Sequence, residues 1–212
     1  MNNIETEVYL IRHGDVRNPW KKIYGRLPGF HLSEEGREQA KRLGQTLKAR
    51  NVKPAAIYSS PLERAMETAQ ILGQELGVSK VVANDDILEI DIPSFQGLIK
   101  PIFTKAIGVF VGGGDEFSDP NTEPVEKIIE RVSRFLEQIK DKHKGEQVAV
   151  VSHGHPTRLL IWSLEHPGEL PDPHVLRDDS YLAKGAGVLL KFSEGGDFIG
   201  LERIDVEGGE ID

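Results

Sequence analysis

Three stretches of this chain share one outline: a short apolar run, a sharp polar turn, then a helix or loop. They are Leu10-Ile11-Arg12-His13-Gly14-Asp15, Ile57-Tyr58-Ser59-Ser60-Pro61 with Arg64 just beyond, and Val150-Val151-Ser152-His153-Gly154-His155. An apolar run that feeds a turn and a helix, several times over, is the pattern of an α/β fold. If the three runs lie side by side in a parallel sheet, their turns emerge together at the carboxyl edge, where open α/β sheets bind ligands.

The remaining patterning agrees. Strands are expected over 8–12, 55–59, 81–83 and 148–151, the last a continuous apolar run suited to a buried parallel strand. Ser33 is placed to cap a helix reaching about residue 50, with Glu34 and Glu35 in its first turn. Ser60-Pro61-Leu62-Glu63 reads as a capping box with proline at the first helical position. Behind it, Leu62, Ala65, Met66, Ala69, Leu72 and Leu76 form an apolar stripe. Val125, Ile128, Ile129, Val132, Phe135, Leu136 and Ile139 recur at helical spacing, and 156–164 also reads as helix. Two strands, 187–192 and 198–204, joined through Glu194-Gly195-Gly196-Asp197, predict a hairpin at the sheet edge. Between 93 and 124, proline, glycine and serine interrupt every period, including Gly112-Gly113-Gly114. This stretch is expected to be a lid-like insertion in a single domain covering 1–212. The residues after 206 are polar, and no internal repeat is present.

Bulk properties narrow the function. The chain has 212 residues, of which 38% are hydrophobic and 28% charged, as in an ordinary globular protein. It contains no cysteine, which removes disulfides, thiolate catalysis and Cys-ligated zinc. Its formal net charge is −8, and it has no basic run, so nucleic acid is not an expected partner. No apolar run is long enough to span a bilayer, and the polar start does not look like a signal peptide. A cytoplasmic address is therefore expected, and no membrane partner. Against that acidic background, converging arginines and histidines would draw in a small anion.

Such a convergence is what the three turns offer. Arg12 and His13 come from the first, Arg64 from just after the second and His153 from the third. Gly14 and Gly154 follow the two histidines and let backbone N–H groups approach a ligand closely. Two guanidiniums and two imidazoles around one point suit a phosphoryl group. A histidine nucleophile needs one ring nitrogen free and the other held by an acceptor. A departing alkoxide then needs a proton, so a carboxylic acid is expected nearby. Taken singly, each residue has a plainer reading: a solvated histidine, a surface arginine, Ser60 as a helix cap, Asp15 as an acceptor of turn amides, His155 as the start of a helix. Their joint occurrence carries the catalytic reading.

The same residues resemble a known family. Leu10-Ile11-Arg12-His13-Gly14 is similar to the signature of the histidine phosphatase superfamily, in its phosphoglycerate mutase-like branch. Leu32-Ser33-Glu34-Glu35-Gly36 with Gln39-Ala40, Ser59-Ser60-Pro61-Leu62-Glu63-Arg64-Ala65 with Thr68-Ala69, Leu88-Glu89-Ile90, and Val151-Ser152-His153-Gly154 resemble further segments in the family's order. The resemblance implies a three-layer α/β/α sandwich around a mostly parallel sheet. It implies His13 as the phosphorylated nucleophile and Arg12, Arg64 and His153 as the phosphate pocket. Glu89 would protonate the leaving oxygen and then activate water. Asn18, Gly25, Arg26 and Gly154 are expected on the substrate. No metal or organic cofactor is implied. Asp15-Val16 after the signature, and Pro93-Ser94-Phe95-Gln96-Gly97 after the acid segment, depart from the family's usual sequence.

The expected activity is hydrolysis of a phosphate monoester on a phosphorylated small molecule. A mutase-type phosphotransferase is the alternative, disfavoured by a short insertion that offers Lys100 and Lys105 among Ile102, Phe103, Ile107, Val109 and Phe110. A metal-dependent hydrolase would use His13-x-Asp15 and His153-x-His155 as ligand pairs, against the repulsion of Arg12 and Arg64. A non-catalytic phospho-ligand binder would lack the nucleophile or the acid, and neither is missing. The substrate and the oligomeric state stay open at this point.

Overall fold

The computed structural model describes residues 4–99, 120–172 and 181–204. Strand β1 (Ile4–Arg12) leads through a long loop to α1 (Glu34–Ala49), and β2 (Ala56–Ser59) leads to α2 (Glu63–Leu76). A short β3 (Val81–Ala83) and a 3-10 turn (Asp85–Ile87) follow. Then come α3 (Val125–Lys142), β4 (Gln147–Ser152), α4 (Gly154–Glu165), β5 (Gly187–Ser193) and β6 (Phe198–Ile204).

The strand order is β3-β2-β4-β1-β5-β6. The first four run parallel, and β5 and β6 add an antiparallel hairpin at the edge. Alternation along the strands divides the core into two layers. Val8, Leu10, Val148 and Val150 face Ile128, Val132, Phe135 and Leu159 of α3 and α4. Tyr9, Ile11, Ala149 and Val151 face Leu43, Leu47, Ala65, Ala69 and Leu72 of α1 and α2. The sheet is thus packed between two helical layers, as the patterning predicts. Among the described residues no helix is long and apolar enough to cross a membrane.

Two local expectations are corrected. The capping box over 60–63 does not form: α2 starts at Glu63 behind Leu62, with no side-chain cap. Both of its would-be partners are engaged elsewhere. The Ser60 hydroxyl meets the His153 ring at 2.7 Å, and Glu63 accepts from the Gly29 amide at 2.9 Å. Helix α4 starts two residues earlier than expected, at Gly154, with Pro156 accommodated in the first turn, where its missing N–H is not needed. The expected insertion is described only at its ends. Gly97 donates to Ile23 at 2.8 Å and Glu123 to Asp91 at 2.8 Å. Gly112 to Gly114 and both lysines lie outside the described residues.

The turn after β1 sits hard against α1. A Cβ at Gly14 would come within 2.3 Å of the Gly36 carbonyl oxygen, and one at Gly36 within 2.0 Å of the Asp15 oxygen. Ser33 holds the same junction from the side. It accepts from Gly36 N as the cap of α1 and donates to Asp15 Oδ2 at 2.8 Å. Gly36→Ala therefore forces backbone against backbone. We expect it to cost about 1–3 kcal/mol, as overpacking does, read as a lower urea midpoint at unchanged slope.

Candidate active site

Parallel pairing delivers the site. His13 N donates to Ser152 O and Ser60 N to Val151 O, each at 3.0 Å, so the three turns leave the sheet side by side. His13 is buried, and so are Arg64 and His153. The His13 and His153 rings lie edge to face, with centroids 5.1 Å apart.

His13 is oriented by its own turn. Its Nδ1 lies 2.7 Å from Gly14 O, a contact in which only the protonated nitrogen serves as donor, so Nε2 keeps its lone pair. Arg64 Nε donates to that Nε2 at 3.3 Å. Arg64 also donates through Nη2 to Gly25 O at 2.7 Å and lies over the Tyr24 ring, 4.7 Å from its centroid. Gly25 takes a positive φ of 42° to present that carbonyl. Arg12 donates through Nη1 to Leu182 O at 2.7 Å. Gly154 lets Arg12 pass closely: a Cβ there would stand 3.4 Å from the guanidinium carbon.

Burial and the Arg64 charge lower the His13 pKa to about 3, and the same two causes hold His153 well below its ordinary value. Both rings are neutral at working pH. Among the described residues, Arg12 Nε, Arg64 Nη1, His153 Nδ1 and Arg158 Nε are buried nitrogens without a hydrogen-bond partner. Three of these four belong to this cluster. Buried donors are ordinarily paired, so the cluster is built to receive acceptor oxygens.

Glu89 is brought in by the 3-10 turn before it. Ser152 Oγ donates to Ile87 O at 2.7 Å and ties that turn to the end of β4. Arg26 Nε and Arg131 Nη2 donate to the Glu89 carbonyl at 2.7 and 3.4 Å. Both arginines are held by Glu123, each at 2.8 Å. The Glu89 carboxylate itself accepts from Ile90 N at 3.0 Å and lies 3.2 Å from His155 Nδ1. Burial acts to raise its pKa. The hydrogen bond and charge of His155, with the His153 ring and Ile90 N, prevail and hold it well below the ordinary carboxylate value.

The structure thus brings His13, Arg12, Arg64, His153 and Gly154 together, with Glu89 near enough to act electrostatically on His13 and Arg64. Gly25 belongs to the site through its carbonyl. Arg26 is committed to Glu89 and Glu123 and acts through them. Asn18 uses both ends of its amide on Lys22, closing its own loop. Asp15, the competing acid, binds Lys184 Nζ at 2.6 Å and Ser33. Burial opposes its ionisation, but those two partners outweigh burial and lower its pKa. Asp15 also accepts from the Val16 amide, as its plainer reading has it, beside the lysine and the hydroxyl. Among the described residues no group of three or more His, Asp or Glu side chains is arranged to hold a metal ion.

The sequence pattern of the histidine phosphatase superfamily (branch 1) matches residues 8–177. The chain belongs to that superfamily. It is 32% identical over 193 residues to a metal-independent phosphoserine phosphatase of Arabidopsis thaliana, covering 84% of this chain and 79% of that one. It is 35% identical over 160 residues to phosphoglycerate mutase-like protein 4 of the same plant, covering 73% and 69%. Among solved structures, YhfR of Bacillus stearothermophilus superposes with a TM-score of 0.75 at 26% identity, over 98% of this chain and 100% of that one.

Motif reading passed over several members of this histidine phosphatase site. Ser60 was read as a cap, and His155 as the start of a helix or half of a metal-ligand pair, neither as a neighbour of the residue it meets. Arg131, Glu123, Tyr24 and Tyr181 lie in segments whose spacing carries no local sign of where the side chains meet. The one available signal was His153-x-His155, two imidazoles on one turn.

The buried histidines set an acid limit on stability. Between about pH 6.5 and about pH 3 the unfolded chain binds a proton at His13 that the folded chain refuses, so stability falls as pH drops through that window. His153 and the depressed Glu89 act in the same direction. We expect His13→Asn to lose less stability than wild type between pH 7 and about pH 4.5, measured by urea unfolding at both values.

Proposed function

We propose that this protein hydrolyses phosphate monoesters through a phosphohistidine on His13, with a phosphorylated small molecule as substrate. One observation carries the reading: the His13 Nδ1 contact to Gly14 O leaves Nε2 as a lone pair inside a pocket of unpaired buried donors. The substrate's phosphoryl oxygens accept from Arg12, Arg64 and His153, which neutralise charge as it develops. On substrate binding the guanidinium of Arg64 transfers from Nε2 to a phosphoryl oxygen. The Nε2–P bond forms, the P–O bond to the leaving group breaks in line, and Glu89 on the far side delivers a proton to the departing oxygen. Water then attacks phosphorus, Glu89 takes its proton, and inorganic phosphate leaves as His13 is restored. Asn18, Gly25, Arg26 and Gly154 shape the substrate side, Arg26 through Glu89.

The relatives named phosphoserine phosphatase and phosphoglycerate mutase-like support a reading in which the chain handles a phosphoryl group. A mutase differs only in handing the phosphoryl group to a second substrate oxygen instead of water. We favour hydrolysis because the insertion over 93–124 is short and offers only Lys100 and Lys105 as basic residues to retain a leaving group.

Three measurements test the scheme. Phosphate is expected from nitrophenyl phosphate in the presence of a chelator. His13→Ala abolishes that turnover, leaves the circular dichroism spectrum unchanged, and removes the acid-labile label seen with radioactive substrate. Glu89→Gln slows alkyl phosphates strongly and nitrophenyl phosphate weakly, since nitrophenolate needs less protonation. Wild-type turnover in His13→Ala would refute the nucleophile. An equal, small effect of Glu89→Gln on both substrates would refute the acid.

A further inference from the structure

Glu89 presents a difficulty that its neighbours also resolve. It is to give a proton to the leaving oxygen, yet its surroundings hold it ionised. Its side chain is only 12% exposed, its main chain is clamped by Arg26 and Arg131, and its Oε1 is 3.2 Å from His155 Nδ1. His155 sits in the first turn of α4, two residues beyond His153, and its side chain is 37% exposed. Its ring stands edge-on to Tyr181 at 5.5 Å. Solvent can therefore exchange protons with the outer face of this imidazole while its Nδ1 faces the carboxylate.

We propose that His155 is a positioning residue that shares one proton with Glu89, so that the pair, rather than the lone carboxyl, is the acid–base unit of the reaction. The inference rests on the assignment of Glu89 above. An imidazole nitrogen and a carboxylate oxygen 3.2 Å apart can hold one proton between them, since each can accept it and pass it on. In the resting pair the shared proton lies in the 3.2 Å contact between His155 Nδ1 and Glu89 Oε1. As the leaving P–O bond breaks and the His13 Nε2–P bond forms, the proton passes from His155 Nδ1 to Glu89 and on to the departing oxygen. The pair is left as carboxylate and neutral imidazole. When water attacks the phosphohistidine, its proton passes to Glu89 and back to His155. Substrate and water become alcohol and phosphate, and the pair ends as it began.

The other groups around the pair do not titrate in its place. His13 at the end of β1 and His153 ahead of α4 are kept neutral by burial, and burial pushes Tyr181 up to about 12. Arg12 and Arg64 face the phosphate position, and Arg158 acts on the Tyr181 side. Arg26 and Arg131 hold the Glu89 main chain. These arginines stay charged, so they bias the pair without switching.

The test compares His155→Gln with wild type across pH on an alkyl phosphate and on nitrophenyl phosphate. Glutamine keeps a hydrogen-bond donor toward Glu89 but stores no proton. We expect the alkaline limb of kcat/KM for the alkyl phosphate to move down by about one pH unit or more, with roughly a tenfold loss at pH 7.5. Nitrophenyl phosphate should change by less than about threefold. An unchanged pH profile, or an equal loss on both substrates, overturns the proposal. A second reading needs no His155 variant: the NMR resonance of the His155 Nδ1 proton, held against the carboxylate in wild type, should move upfield in Glu89→Gln, as the charged acceptor is removed. No shift overturns the pairing. Failure of Glu89→Gln to show any leaving-group dependence instead removes the assignment of Glu89 itself, a separate outcome.

Discussion

The parallel ladder does not stop where the strands do. His13 N reaches Ser152 O and Ser60 N reaches Val151 O, so pairing continues one step into the turns that carry the chemistry. These two bonds fix the relative heights of His13, Ser60 and His153. Everything that follows is set by that register: the edge-to-face contact of the two imidazoles, the hydroxyl of Ser60 on His153, and the approach of Arg64 from α2. Thr68 adds a brace, accepting from Gly14 N at 3.1 Å and donating to Arg64 O at 2.8 Å, so the nucleophile's turn and the arginine's helix are coupled through one side chain. A one-residue slip would turn Leu10 and Ile11 to the wrong layers. The two-layer core thereby defends the geometry of the site.

The sequence made legible whatever depended on local pattern or on that register. Apolar runs gave the strands. The stripe Ile128, Val132, Phe135, Leu136 and Ile139 gave α3 because all five sit in one buried face. Arg12, His13, Arg64 and His153 could be placed together from the sequence because Arg12 ends a strand that must be parallel and the others lie one or a few residues past such a strand. What stayed hidden depends on meetings between segments without a period. Arg26 and Arg131 come from different places in the chain and meet at one carbonyl, that of Glu89, with Glu123 from a third place pairing with both. Ser60 looked like a helix cap because its local sequence fits a cap equally well, and only the proximity of His153 decides between the two. The resemblance puts Asn18 on the substrate side, but its position in the chain gave no sign of the turn it closes with Lys22.

Charge is the remaining constraint, and it explains why the site is assembled from neutral partners. Arg64 is wholly buried, and it is held by a carbonyl, an imidazole and the face of Tyr24. Burial acts to lower its pKa, opposed by Tyr24, Glu89 and Glu63. A direct carboxylate partner would stabilise the resting protein better, but it would occupy the donors that a phosphoryl group needs. The two histidines, each driven neutral, add hydrogen-bonding capacity without adding positive charge. The arrangement is preorganised in the sense that its donors already point inward, so little rearrangement opposes the developing charge. Its acid is subject to the same logic. A carboxylate that accepts from His155 and from Ile90 N is pulled toward ionisation, and the reaction needs it protonated for an instant only. Storing that proton on a neighbouring imidazole reconciles the two demands, because the carboxylate can balance the arginines at rest and still deliver a proton when the leaving oxygen becomes basic enough to take it.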